Sequence, residues 1–330
     1  MEPTKGWVDM KTIEHKVNNN QPKHAYGTFL FRDSGYLPGI LMVAYKLSKL
    51  SPGIQLICLC TDDIDEGSLS LIRKFYDRVI NIDGLKIGRN RVGRQQPLPY
   101  MFTRFRFLDL KGLDKILILD SDMLPLKDLR GLFQLNAPAG VLNESKEIIK
   151  ADQAEEDVVI NKWSWHEKYD SVCPHGSLIP KIITNRPMKD PKGNMGINGG
   201  LMLFKPSKSD FSRFINWCHE PSNSKIIESM EWPDMQTITA FYSGKWTNID
   251  AHYLGLYGFP NVKSLKGIHF IGPKPWQWRL KGFEYRLNNF PDYKLWAEEY
   301  LNMCQGRPEV LNLKKMRDLK YRIIEGLQKG

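Results

Sequence analysis

The sequence predicts one α/β domain, a mostly parallel, doubly wound sheet between helices, with a C-terminal helical extension. Two observations predict it. Strand-like apolar runs alternate with helix-patterned runs from Ala25 onward, joined by short links, as in βαβ units. The runs Ile54–Cys60 and Lys115–Leu119 are almost unbroken, as strands covered on both faces are. A third fact sets the scale: the 330 residues, 42% hydrophobic, suffice for one large core, which stops growing near about 250–300 residues. With 11% aromatic and 25% charged residues, disordered, collagenous and low-complexity classes are excluded.

Each element has its signal. Ala25–Phe31 is β-rich and breaks at Arg32-Asp33-Ser34-Gly35. Leu37, Ile40, Leu41, Ala44 and Leu47 recur at helical spacing within Tyr36–Leu50. After the Ile54–Cys60 strand, closed by Asp62 and Asp63, Ser68–Tyr76 reads as a helix and Arg78–Ile82 as a strand. Residues 86–106 are basic (Lys86, Arg89, Arg91, Arg94, Arg104, Arg106), and Thr103–Leu110 reads as a helix. Lys115–Asp122 is the sharpest strand, and Leu124–Phe133 reads as a loop with short helices. Residues 143–196 are irregular, acidic at 144–157, and rich in Gly and Pro, the pattern of a functional loop. Gly196–Phe204 returns to strand character, and Phe211–His219 and Met235–Tyr242 read as helices. From Val310, Leu311, Leu313, Met316, Leu319, Ile323 and Leu327 outline a basic amphipathic helix that covers the core.

Lys and Arg number 47 against 37 Asp and Glu, a net charge of +10, which predicts an anionic partner. Nucleic acid, a lipid surface or a phosphate-bearing ligand would each satisfy it, although no RRM, KH, helix-turn-helix or zinc-knuckle pattern occurs. No apolar run reaches the roughly 18–20 residues of a membrane span, and the first 25 residues lack a signal-peptide core. Five cysteines without a C-x-x-C read as free thiols, and the expected location is cytoplasmic.

The chemistry centres on Asp120-Ser121-Asp122. Strand alternation would point Asp120 and Asp122 the same way, at the C-terminal end of a buried strand, where open α/β sheets bind ligands. Two adjacent carboxylates repel unless a cation lies between them, and oxygen ligands suit Mg²⁺ or Mn²⁺. The pattern is short, and a second copy, Asp63-Ile64-Asp65, lies where a turn and helix cap are expected.

Four segments in order make the pattern specific: Phe29–Tyr36, Ile118-Leu-Asp-Ser-Asp-Met-Leu-Pro-Leu126, Ile197-Asn-Gly-Gly-Leu-Met-Leu-Phe204, and His269-Phe-Ile-Gly-Pro-Lys-Pro-Trp276. Together they resemble a family 8 glycosyltransferase, the group containing glycogenin and galactinol synthase, over residues 25–277 or so. The resemblance implies a GT-A-type domain with a Rossmann-like sheet at 25–285, after a lead at 1–24 and before a helical extension at 286–330. It implies Mn²⁺, with Mg²⁺ as the other option, held by Asp120, Asp122 and His269. Donor-binding residues would be Thr28, Phe29, Phe31, Tyr36, Arg94, Arg104, Ser121, Asn198, Gly199, Glu231, Asp234, Gly272 and Lys274, besides the two aspartates of the motif. Of these, Asp234, Asn198 and Lys274 would be catalytic. Tyr36 would stack on the base, Lys274 and Arg104 would meet the diphosphate, and Asn198 and Asp234 would meet the sugar. The chain also departs from the family. Phe31 and Arg32 stand where Thr and Asn serve the donor, Met235 stands where Gln is common, and only Pro273 separates Gly272 from Lys274.

The resemblance therefore implies retaining transfer of a hexose, glucose or galactose, from a UDP-sugar to a hydroxyl acceptor. The acceptor is unknown, with 143–196 as its expected wall, and a homodimer is open. The alternatives are a non-catalytic polyanion binder using 86–106 and the C-terminal helix, and a nucleotidyltransferase, which leaves H-x-x-G-x-K-P-W unexplained.

Overall fold

The computed structural model describes residues 23–32, 34–88, 98–143, 173–192, 196–257 and 262–329. Arg94, the lead up to residue 22, and residues 144–172 of the expected acceptor wall lie outside the described residues.

Among the described residues, ten strands form two sheets: β1 (His24–Leu30), β2 (Gln55–Cys60), β3 (Arg78–Asn81), β4 (Lys115–Leu119), β5 (Met123–Pro125), β6 (Ala139–Leu142), β7 (Ile197–Phe204), β8 (Thr247–Asn248), β9 (Gly255–Leu256) and β10 (Gly267–His269). The larger sheet has the order β3-β2-β1-β4-β7-β6-β8, and the smaller β5-β10-β9. β3, β2, β1 and β4 are mutually parallel, whereas β7 runs antiparallel to both β4 and β6. The helices Leu37–Leu50 and Glu66–Ile72 make the crossovers that parallel pairing requires.

Strand alternation divides the core. Along β4, Leu117 and Leu119 join Tyr26, Leu41, Trp296, Tyr300 and Ile323 on one face, while Ile116 and Ile118 join Phe102, Phe105 and Phe214 on the other. The C-terminal helices Pro291–Gly306 and Lys314–Gln328 are thus part of the first cluster, and the Tyr300 hydroxyl ties them together by donating to the Met316 carbonyl (2.9 Å). Among the described residues no helix is long and apolar enough to cross a membrane, and all five cysteines are free.

Some local expectations are corrected. The helix expected over Thr103–Leu110 is a 3₁₀ helix over Leu98–Asp109. Its buried Phe102, Phe105 and Leu108 follow the three-residue repeat that eclipses side chains on one 3₁₀ face. The helix expected over Ser68–Tyr76 begins at Glu66 and stops at Ile72. Tyr76 then turns inward, and its hydroxyl donates to the Ile40 carbonyl. Of the loop with short helices expected over Leu124–Phe133, Leu124 and Pro125 belong instead to β5, paired with β10, while Arg130–Gln134 is a short 3₁₀ helix.

Candidate active site

The site lies where β4 ends. Asp120 N–H donates to the Gly200 carbonyl of β7 (3.1 Å), and Met123 N–H donates back to the Asp120 carbonyl (3.1 Å). Asp120–Met123 is therefore a tight turn, and Asp120 and Asp122 converge through that turn. This corrects the expectation that strand alternation aligns them. β5 starts at Met123 and pairs antiparallel with β10, placing His269 opposite Met123, and Phe270 N–H donates to the Asp122 carbonyl (3.0 Å). A histidine distant in sequence is thereby held against the motif. His269 Nε2 stands 3.2 Å from Asp122 Oδ1 and 3.8 Å from Asp120 Oδ2. Ligand atoms of these three residues lie within 4.8 Å of one another, the one such group among the described residues.

Two basic side chains flank the group. Lys274 Nζ is buried and donates to Asp122 Oδ2 and to the Phe270 carbonyl, each at 2.6 Å. Arg104 stands 2.9 Å from Asp120 Oδ1 and 3.3 Å from Asp234 Oδ2, donates to the Gly199 carbonyl (3.2 Å), and lies over the Phe29 ring. These neighbours split the carboxylates electrostatically. Burial, with Asp122 adding to it, pushes Asp120 up to about 6 against the pull of Arg104 and His269. Burial would raise Asp122 too, but Lys274 and His269 hold it well below the usual carboxylate range. Asp234, fully buried in the first turn of the helix Pro233–Phe241, is raised by burial in spite of Arg104.

Close packing here depends on absent side chains. A Cβ at Gly199 would lie 2.5 Å from Arg104 Nη1, and one at Gly200 would lie 2.6 Å from the His269 ring. A Cβ at Gly39, in the first helix, would lie 2.0 Å from the Ser121 carbonyl. Gly39 is a site-shaping residue outside every quoted motif, and Gly200 lies inside one with its steric role unread, because what each admits is supplied by a distant segment.

The donor set suits a divalent cation. Three carboxylates stand against two basic side chains, and Asp122 Oδ1 is buried without a hydrogen bond. Carboxylate oxygens with one imidazole nitrogen are ligands that such ions accept.

The other expected residues are distributed along this edge. Phe29 and Phe31 stack at 4.8 Å. Thr28 points to the opposite face, buried, its hydroxyl donating to the Leu119 carbonyl (2.9 Å). Tyr36 meets Trp276 edge-on and lies 5.9 Å from Lys274 Nζ. Ser121 is buried against Gly39. Asn198 is buried, donating to Asn143 Oδ1 and accepting from Gly200 N–H, both at 2.8 Å. Gly272 lies under the Tyr257 ring. Glu231 is exposed, and its backbone N–H donates to Pro191. The second D-x-D takes structural roles: Asp65 caps the helix Glu66–Ile72 through Ser68 N–H (2.8 Å), and Asp63 accepts from Arg32 N–H.

Comparison with known proteins gives a consistent picture. The model of the family "Glycosyl transferase family 8" matches residues 28–279. The uncharacterized protein R707 of Acanthamoeba polyphaga mimivirus is 26% identical over 297 residues, 84% of this chain and 93% of that protein. Glycogenin of Komagataella phaffii is 23% identical, covering 86% of this chain and 65% of its own length. Galactinol synthase 4 of Arabidopsis thaliana is 20% identical, covering 89% and 84%. Among solved structures, the galactosyltransferase LgtC in complex with donor and acceptor sugar analogues superposes with a TM-score of 0.51 at 14% identity, covering 83% of this chain and 94% of that one. The bifunctional glycosyltransferase WbbM gives 0.54 at 13%, covering 93% and 53%. The architecture is that of the GT-A glycosyltransferases.

Proposed function

The chain belongs to glycosyl transferase family 8, and from that premise we propose that it transfers a hexose from a UDP-sugar to a hydroxyl acceptor with retention of configuration. Glucose is the favoured sugar, on the similarity to glycogenin, with galactose the alternative. The observation that carries the reading is the convergence of Asp120, Asp122 and His269 beside the buried Lys274. Asp120, Asp122 and His269 would hold Mn²⁺ or Mg²⁺, which supplies Lewis-acid stabilisation to a diphosphate leaving group.

The chain's own residues do the rest. Lys274, already paired with Asp122, is placed to share its charge with a diphosphate oxygen, and Arg104 adds a fixed guanidinium beside Asp120. Asn198 and Gly199 would contact the sugar. Asp234, held by Arg104, would stabilise positive charge growing at the anomeric carbon. The stacked Phe29 and Phe31, and Tyr36 set edge-on to Trp276, offer aromatic surfaces suited to the nucleotide end of the donor. Retention is assigned to a front-face route. The acceptor oxygen bonds to the anomeric carbon as its bond to the phosphate oxygen breaks, and that phosphate oxygen takes the acceptor's proton. Residues 143–196 are proposed as the acceptor wall, 25–285 as the catalytic unit, and a reducing, cytoplasmic setting fits the five thiols.

The test is a panel of sugar nucleotides assayed for UDP release with Mn²⁺, with Mg²⁺ and with chelator. Metal-dependent release from UDP-glucose or UDP-galactose is the expected result. No release from any UDP-sugar in the presence of acceptor saccharides, polyols and water would sink the proposal. A glycosyl-enzyme trapped in Asp234→Asn would overturn the front-face route.

A further inference from the structure

Strand β7 is irregular where it borders the site. Gly140 of β6 pairs with Met202, yet Leu142, two residues on, pairs with Ile197, so Asn198–Leu201 bulge out of the β6 ladder. A bulge leaves backbone groups to be satisfied by something other than the neighbouring strand. On the β4 side the account is ordinary, because the Gly200 carbonyl accepts from Asp120 N–H and Gly200 N–H is taken by Asn198 Oδ1. Gly199 has no such neighbour. Its N–H donates to Met235 Sδ (2.9 Å), and its carbonyl accepts from Arg104 Nη1 (3.2 Å).

The same residue is clamped sterically. A Cβ at Gly199 would meet Arg104 Nη1 at 2.5 Å and Met235 Cγ at 3.1 Å, so guanidinium and thioether hold it between them. Met235 is itself fixed by its helix, where its carbonyl accepts from the Thr239 hydroxyl (2.7 Å) and Asp234 precedes it. A thioether sulfur is a weak acceptor, and a hydrocarbon of the same size is none.

We propose that Met235 is a positioning residue of the transfer site. Its sulfur accepts the Gly199 N–H, which fixes the bulge and holds the Gly199 carbonyl where Arg104 reaches Asp120 and Asp234. The catalytic part of this proposal rests on the transferase function above. Its structural part does not. Met235 thus acts through Gly199 and Arg104, and an acceptor atom at this position, rather than its bulk, is what matters.

The experiment compares M235L, which keeps the volume and removes the acceptor, with M235Q, which restores an acceptor as an amide oxygen. Steady-state UDP release and amide hydrogen exchange at Gly199 are measured in the full chain. M235L is expected to lower kcat about tenfold while KM and Tm change little, and M235Q to recover most of the loss. Gly199 amide exchange should accelerate in M235L and not in M235Q. A wild-type kcat in M235L overturns the proposal, and so does equal loss in both variants, which would mark a role in packing alone. If the wild-type protein releases no UDP from any donor, the transferase reading fails. Gly199 exchange then decides the positioning claim by itself, and unchanged exchange in M235L overturns it.

Discussion

Gly200 presents a bare Cα to the imidazole of His269: a Cβ there would stand 2.6 Å from both Cε1 and Nδ1 of the ring. The Gly200 backbone cannot retreat, because its carbonyl is bonded to Asp120 N–H and its N–H to Asn198. Gly200→Ala should therefore move the histidine rather than the strand. The expected outcome is a weakening of Mn²⁺ binding by about 10–100-fold, within the range for a displaced ligand or its support. Isothermal titration with Mn²⁺ checks it, and unchanged affinity would remove His269 from the ligand set.

Arg104 touches both Asp120 and Asp234. Lysine keeps the charge but carries a single nitrogen, which cannot reproduce a planar two-sided contact. Arg104→Lys should leave one buried carboxylate uncompensated and lower kcat about 100-fold. Initial rates of UDP release, with a thermal melt to confirm folding, decide the point.

The two D-x-D copies make opposite predictions. Asp65 accepts from the N–H and the hydroxyl of Ser68 at the start of a helix and belongs to no cluster of three metal-ligating side chains among the described residues. Asp65→Ala should cost about 1 kcal/mol of stability, the usual loss of an N-cap, and leave Mn²⁺ affinity unchanged. Asp122→Ala should abolish metal binding. Urea denaturation and metal titration of both variants separate the roles.

The C-terminal helix should unfold with the sheet. Ile323 is fully buried in the cluster that holds Tyr26, Leu41 and Leu117. Ile323→Ala should destabilise the protein by about 2–5 kcal/mol, as cavity-forming core substitutions do. A single urea transition, shifted to lower concentration, is expected by both fluorescence and circular dichroism. Two separate transitions would show that the helix is an independent appendage.

Much of the fold was legible because it is locally encoded. The unbroken apolar runs at 56–59 and 116–119 became β2 and β4, and helical spacing placed Leu37–Leu50 within one residue of its start. The 98–109 segment was less legible, since α and 3₁₀ helices share an apolar pattern until packing chooses between them. β5 and β10 are three residues each, too short for any periodicity, and exist because they pair with each other. The site divides in the same way. Asp120, Asp122, His269 and Lys274 stood out as motif residues, whereas Gly39 had no signal of its own and the contact of Gly200 with His269 was not written in its motif.

By itself the sequence determined the alternation of strands and helices, the family motifs and their order, and the residue types able to hold a cation. The D-x-D pattern alone does not separate two copies that both follow an apolar strand; the family segments and the helix cap expected at Asp63–Asp65 favour Asp120 and Asp122. Tertiary structure supplies the physical difference between them. The β5–β10 pairing sets His269 opposite Met123, and the β4–β7 pairing sets Gly200 beside Asp120, whereas Asp65 meets the first turn of its own helix, Ser34 and Lys315. The physical reason is that a carboxylate's role depends on which charges and donors surround it. Local sequence fixes those that are near in the chain, and only long-range pairing brings in the rest.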